Sequence, residues 1–306
     1  MATRFEMILH GEDAVALRAA GEEAISEIER LEEQLSLYRP SSEIAALNAR
    51  AARVPVRVTP PLFGLLQHAQ QLTRETGGAF DITIGPLVRC WGFMGGSGRL
   101  PSDEEVARAR AVVGMDLVNL DAENSTVQFA REGVTLDLGA IGKGYAIDCA
   151  MEILRDAGVT SALLHGGTST VYALGHPPDA EYWKVAVDNA PPSVTTTSIP
   201  VSPVLLKDEA MSVSAIWGRS FQKEGQLFGH VLDPRTGNPA ASAILAAVIL
   251  PSATETDALS TALLTLGGGG HDHIAKLRPG MKTFLVLGAE GQFRIEGRNM
   301  SVADRK

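Results

Sequence analysis

The chain is expected to fold as an α+β protein with mixed or antiparallel sheets and packed helices. Three observations point there. Apolar residues recur at helical spacing in the first third of the chain, behind recognisable helix-start signals. From Leu117 onward, short apolar or alternating runs follow one another, bounded by Gly, Pro, Asn and Asp. Strands and helices do not alternate strictly, so a doubly wound parallel sheet is disfavoured. No repeat of solenoid length is present.

The elements follow in order. Ile25, Ile28, Leu31 and Leu35 share one face of a glutamate-rich helix. Thr59 and two prolines introduce a second, with Leu62, Leu65, Leu66, Ala69 and Leu72 inward and Gly77-Gly78 as its stop. Ser102 and Glu105 form a capping box for a third. Strands are expected at Leu117–Leu120, Thr126–Phe129, Val134–Leu138, Ala162–Leu164, Thr170–Leu174 and Trp183–Val187. The Pro-, Ser- and Thr-rich stretch Asp188–Pro203 reads as a long loop. Strands resume at Ala210–Ser214, Ala246–Leu250, Lys282–Leu287 and Gln292–Ile295, with a helix over Glu255–Leu266.

The 306 residues, 45% hydrophobic and 21% charged, describe an ordinary globular protein with enough chain for a large core. The net charge of −9 disfavours nucleic acid and anionic membrane surfaces as partners. An anionic ligand would have to be held locally, by a lysine, a helix N-terminus or a metal. No apolar run is long enough to span a membrane, and the first twenty residues do not read as a signal peptide. Cys90 and Cys149 have no metal spacing and are expected as buried small hydrophobes.

The stretch Thr135-Leu136-Asp137-Leu138-Gly139-Ala140-Ile141-Gly142-Lys143-Gly144-Tyr145-Ala146 carries most chemistry. A strand runs into a glycine-rich turn that opens a helix bearing a cation, where backbone N–H groups can meet a phosphate. A tight turn packing helix on strand is the other reading. The order of glycines fits neither a P-loop nor a dinucleotide fingerprint. His230 ends a strand before the turn Asp233-Pro234-Arg235-Thr236-Gly237, where an imidazole could serve as base or meet a ligand. Asp257 and Thr261 lie four apart on one helix face and offer hard oxygens for Mg²⁺ or Ca²⁺. On these residues alone the preferred reading is a dipole-stabilised Asp and a back-bonded Thr. Tyr38-Arg39 could stack on a ring and meet a phosphate, or equally be a helix C-terminus followed by a capped turn. Gly77 to Leu87 with Trp91-Gly92-Phe93 beyond it, and the close-approach segment His165-Gly166-Gly167-Thr168, are further segments of note. Gly267 to Gly270 followed by His271-Asp272-His273 is expected as a floppy hydrophilic loop, not a metal cluster.

Taken together and in order, these segments resemble the ApbE-type FAD:protein FMN transferases over nearly the whole chain. The likeness rests on Met1-Ala2-Thr3, Tyr38-Arg39-Pro40-x-Ser42-Glu43, Gly78 to Leu87, Trp91-Gly92-Phe93, Asp137 to Ala146, His230 to Gly237, and Asp257-Ala258-Leu259-x-Thr261-Ala262. It implies one domain over 1–306 of duplicated, T-fold-like architecture, with FAD between two α/β lobes. It implies Mg²⁺-dependent transfer of the FMN half of FAD onto a Ser or Thr of a partner flavoprotein, with AMP released. Hydrolysis of FAD to FMN and AMP, or flavin binding without catalysis, are the alternatives. Matching positions imply that Met1, Tyr38, Ala79, Phe80, Asp81, Asp137, Lys143 and Val231 contact FAD. The Ala140 carbonyl, Asp257 and Thr261 would hold the metal, and His230 would be the catalytic histidine.

The chain departs from the family at Gly166-Gly167-Thr168, where relatives carry Gly-Gly-Asp or Gly-Gly-Asn, at Ala2 for Gly, and at Ser214-Ala215-Ile216-Trp217 for Ser-Gly-Asp-Tyr. Relatives are often lipoproteins. The expected location is therefore the cytoplasm as the sequence stands, or the periplasm or membrane surface if a leader has been removed.

Overall fold

The computed structural model describes residues 3–187, 202–223, 225–289 and 292–300. Met1, Ala2 and most of the expected 188–203 loop lie outside these residues. The chain divides into two compact units. One comprises Met1–Glu32, Ile141–Ser214 and Ala243–Lys306; the other comprises Glu33–Ala140 and Ala215–Ser242.

In chain order the elements are β1 (Phe5–His10), α1 (Ala14–Leu35), α2 (Glu43–Arg50), β2 (Val56–Arg57), α3 (Pro60–Glu75), α4 (Gly85–Cys90) and α5 (Asp103–Arg110). They continue as β3 (Val118–Asp121), β4 (Thr126–Phe129), α6 (Gly142–Asp156), β5 (Ser161–Gly166), β6 (Thr170–Leu174) and β7 (Trp183–Val185). The rest are β8 (Val204–Leu206), β9 (Glu209–Ala215), β10 (Ser220–Lys223), β11 (Gln226–Gly229), β12 (Leu245–Leu250), α7 (Ala253–Leu266), α8 (His271–Ile274), β13 (Lys282–Ala289) and β14 (Gln292–Arg298).

The first unit is built on a seven-stranded sheet, ordered β1-β5-β6-β9-β12-β13-β14. Its pairs of described register are antiparallel. Burial follows position in the sheet. β6 and β12 are buried at every residue, whereas the edge strand β1 alternates, as expected for covered and half-covered strands. Helices α6 and α7 supply apolar cover through Ile147, Met151 and Leu154, and through Leu259, Ala262 and Leu263. A β-carbon on Gly144 would lie 2.1 Å from the Ala253 carbonyl oxygen, so only glycine lets these helices approach so closely.

The second unit holds α2 to α5, the three-stranded sheet β2-β4-β3 and the β10–β11 hairpin. Leu87, Trp91, Phe93 and Leu232 form a core cluster, against which Phe221 and Phe228 pack from the hairpin. The Trp91 indole N–H donates to the Gly237 carbonyl at 2.8 Å, tying α4 to the Asp-Pro turn. The capping box predicted at Ser102 and Glu105 is present in full.

Two expectations are corrected. Val134–Leu138 is not a strand. It makes a single bridge, Thr135 to Ile84. Its other backbone groups are taken by the Asn48 side chain, which bonds both the N–H and the C=O of Leu136, and by Ile82, which accepts from the Asp137 N–H. No ladder can grow past such partners. Gly267 to His273 is not a floppy loop either. A 3₁₀ turn leads into α8, and His271 is fully buried with Nε2 2.8 Å from the Thr283 hydroxyl.

The cysteines divide. Cys90 is buried as expected, but Cys149 is only partly so and hydrogen-bonds Tyr145. Burial pushes its thiol up to about 11, so it is not a reactive thiolate near neutrality.

Candidate active site

Within the first unit, the opening of α6 faces α7. Lys143 Nζ lies 3.1 and 3.3 Å from the two Asp257 carboxylate oxygens, and the Gly144 N–H donates to one of them at 3.2 Å. The Asp257 carboxylate thus meets both a cation and a helix N-terminus. Both side chains are largely buried, 20% exposed for Lys143 and 6% for Asp257.

Thr261 stands one turn further along α7. Its hydroxyl bonds back to the Asp257 carbonyl at 3.2 Å and lies 3.3 Å from Ser214 Oγ. Ser214 also reaches Ser260 at 2.9 Å. Thr261 therefore back-bonds as one of its two expected readings held. Asp257 sits beyond the first turn and engages α6, which the helix-dipole reading alone does not explain. Ala140 precedes α6, in the turn just before Ile141.

The donor set suits a hard divalent cation. Asp257 offers a buried carboxylate that already accepts an ammonium and Thr261 a hydroxyl, both hard oxygens. Groups of three or more His, Cys, Asp or Glu that could hold a metal are absent among the described residues, so carbonyl and hydroxyl oxygens would have to complete the shell.

The second unit carries the remaining expected residues. Tyr38 is 55% exposed in a turn pinned by Ser42, whose hydroxyl donates to the Ser36 carbonyl at 2.6 Å and N-caps α2. A rigid turn presenting an exposed ring suits stacking. Ala79 and Phe80 are core residues, and their N–H groups are already bonded to Thr76. Any flavin contact by these two would be through other backbone atoms.

Asp81 is buried. It accepts from the Thr83 N–H and hydroxyl, at 2.8 and 2.6 Å, and from the Met115 N–H at 3.0 Å. Burial raises its pKa against the lowering effect of these bonds. Asp81 also lines a cavity of about 920 Å³ together with Arg74, Arg110, Met115 and Arg235. Asp137 closes an Asx turn by accepting from the Gly139 N–H at 2.8 Å.

His230 follows β11 directly. Its Nδ1 lies 3.1 Å from the Arg219 carbonyl and 3.2 Å from the Arg219 N–H, and its ring meets Phe93 edge-on at 6.5 Å. When Nδ1–H donates to the carbonyl, Nε2 keeps its lone pair, the tautomer a general base needs. The neighbouring Val231 uses its carbonyl to accept from Ala240. Met1 lies outside the described residues.

One residue was missed. Asp148, on α6, accepts four hydrogen bonds from the start of α7: Ser252 hydroxyl at 2.9 Å, Ala253 N–H at 2.8 Å, Thr254 N–H at 2.9 Å and Thr254 hydroxyl at 2.7 Å. The available signal was an acidic residue beside the apolar run Ala146-Ile147 and Ala150-Met151.

Comparison with known proteins adds a consistent picture. A family model described as the ApbE family matches residues 1–285. A protein of Treponema pallidum named FAD:protein FMN transferase is 31% identical over 292 residues, covering 90% of this chain and 78% of its own. One of the same name from Vibrio cholerae is 30% identical over 247 residues, covering 78% and 71%. Among solved structures, the apo flavinyl transferase ApbE of Pseudomonas stutzeri is 28% identical with a TM-score of 0.80, covering 96% of this chain and 95% of its own. The ApbE protein of Thermotoga maritima is 27% identical with a TM-score of 0.83, covering 96% of both chains.

Proposed function

As the chain belongs to the ApbE family, we infer that it is an FAD:protein FMN transferase, moving the FMN half of FAD onto a partner flavoprotein. The acceptor atom in this reading is a Ser or Thr hydroxyl, AMP is the leaving group, and Mg²⁺ assists. The observation that carries the site assignment is the buried Lys143–Asp257 pair with Thr261 one turn away.

Asp257, Thr261 and the Ala140 carbonyl would hold Mg²⁺, which would offset the charge building on the diphosphate. Lys143 would swing from Asp257 toward a phosphate oxygen, since its ammonium sits on a flexible stem at the mouth of α6. Tyr38 would stack on a ring of FAD. Asp81 and Asp137, with backbone from Ala79, Phe80 and Val231, would contact FAD in the same reading. His230 would accept the proton of the acceptor hydroxyl through Nε2 while Arg219 holds Nδ1. Base assistance of this kind is typically worth about 10²–10⁴ in rate.

Among the described residues no helix is long and apolar enough to cross a membrane. The test is incubation with FAD, Mg²⁺ and a candidate flavoprotein. Transfer yields a fluorescent protein band and one AMP per flavin attached. Free FMN without a band would indicate hydrolysis, and unchanged FAD would overturn the catalytic reading.

A further inference from the structure

We propose that Asp148 is a positioning residue for the divalent-cation end of the site. The inference rests on the reading of Asp257 and Thr261 as metal ligands. Asp148 touches neither of them. It acts on the first turn of α7, the helix that carries both.

The geometry is a two-point clamp between α6 and α7. At one point Lys143 and the Gly144 N–H bond the Asp257 carboxylate. At the other, the Asp148 carboxylate takes two hydroxyl and two backbone donors from Ser252, Ala253 and Thr254. Between them Gly144 fits directly against Ala253 and Thr254, with no room for a β-carbon. The two helices therefore cannot slide without breaking one set of bonds or colliding at the other.

Asp148 also supplies what the helix end needs. First-turn N–H groups have no partner inside the helix, and an anion there is favoured by the dipole. Ser252 caps only the Glu255 N–H at 3.2 Å. The Ala253 and Thr254 N–H groups go to Asp148 instead. A carboxylate is the side chain that accepts four donors at once. An asparagine at this position would turn an amide N–H₂ toward donors and lose the charge.

On the opposite side, Ser212 meets Thr256 at 2.8 Å, and Ser214 meets Ser260 and Thr261. These hydroxyl pairs hold α7 to β9, but hydroxyls rotate and tolerate small displacements. The charged clamp at Asp148 is the part that fixes where along its axis α7 presents Asp257 and Thr261. Such supporting contacts set the affinity of a cation site without touching the cation.

The test measures Mn²⁺ binding by electron paramagnetic resonance on the full chain with FAD present, in the parent and in Asp148→Asn, Thr254→Val and Asp257→Ala. Thr254→Val removes one hydroxyl donor and no charge, and is read where Asp148→Asn proves unstable. Asp148→Asn should raise the half-saturating Mn²⁺ about ten-fold or more, and Thr254→Val by a smaller factor. FAD affinity without metal should stay at the parent value in both, and excess Mg²⁺ should recover most of the transfer rate lost by Asp148→Asn. A purely structural role would lower thermal stability without moving the half-saturation point. Parent-like Mn²⁺ binding in Asp148→Asn and Thr254→Val, with binding lost in Asp257→Ala, overturns this inference alone. Parent-like binding in Asp257→Ala overturns the metal reading itself and this inference with it.

Discussion

Lys143 and Asp257 are 114 positions apart in sequence, yet the lysine ammonium lies within 3.3 Å of both oxygens of the aspartate. The pair is unequal. Asp257 is almost wholly enclosed, whereas Lys143 retains a path to water along its stem.

Removing either partner should therefore have different costs. Lys143→Ala strands a buried carboxylate and should lose about 3 kcal/mol of stability in EDTA. Mg²⁺ should return much of that loss by replacing the missing charge. Asp257→Ala lets the ammonium turn outward and leaves only the Gly144 N–H without its acceptor, should lose about 1–2 kcal/mol, and should gain nothing from Mg²⁺. Urea unfolding of both variants with and without Mg²⁺ checks this. Equal losses, or an Asp257→Ala protein still stabilised by Mg²⁺ and active, would remove the cation from this site.

Tyr38 is more than half exposed, so Tyr38→Ala should fold with near-parent stability. Its FAD affinity should drop about ten-fold, in line with roughly 1–1.5 kcal/mol for an aromatic stacking pair. Tyr38→Phe should bind like the parent. Calorimetric titration with FAD decides, and unaltered affinity in Tyr38→Ala would place the flavin elsewhere.

His230 is fixed to the Arg219 backbone, so the ring is held whether or not substrate is bound. If it serves as base, His230→Ala should bind FAD nearly normally and lose about 10²-fold or more in single-turnover transfer at saturating FAD. A preserved single-turnover rate with weakened FAD binding would make His230 a ligand contact instead.

His271 gives a pH signature unrelated to catalysis. Burial, reinforced by the Arg298 guanidinium, holds its pKa below the ordinary value, although Glu296 and Asp272 act the other way. Its Nδ1 has no hydrogen-bond partner among the described residues, and the nearest Glu296 oxygen is 3.7 Å away. The unfolded chain then binds the proton more readily, so stability should be complete above about pH 6.5 and decline as pH falls below it. Melting temperature against pH should show that decline in the parent and a shallower one in His271→Gln. Identical profiles would assign the acid sensitivity to other groups.

Local signals carried α3, α5 and α7, because caps, prolines and helical spacing act within a few residues. The segment Val134–Leu138 misled because alternation reports half-burial and not pairing. Its actual partners are the Asn48 amide, 88 residues away, and the turn at Ile82. Of the β10–β11 hairpin only the strand ending at His230 was anticipated, since Phe221 and Phe228 gain their meaning only against Trp91 and Phe93. In the site, Asp257 and Thr261 were visible as a same-face pair. The four bonds converging on Asp148 were not, because all three donor residues lie about a hundred positions downstream.

The order of strands in the large sheet has a consequence for synthesis. β1 is made long before its partner β5, which begins at Ser161. At usual translation speeds of roughly 5–20 residues per second, β1 waits on the order of ten seconds for that partner. Meanwhile the segment Glu33–Ala140 emerges unbroken and can begin to condense, lacking Ala215–Ser242 with its hairpin and Asp-Pro turn. Asp257 and Thr261 arrive later still, on the helix between β12 and β13. A ribosomal product cut short before α7 therefore carries the glycine turn and Lys143 without the carboxylate that completes them. Such unfinished copies lack the buried partner that Lys143 meets in the folded unit.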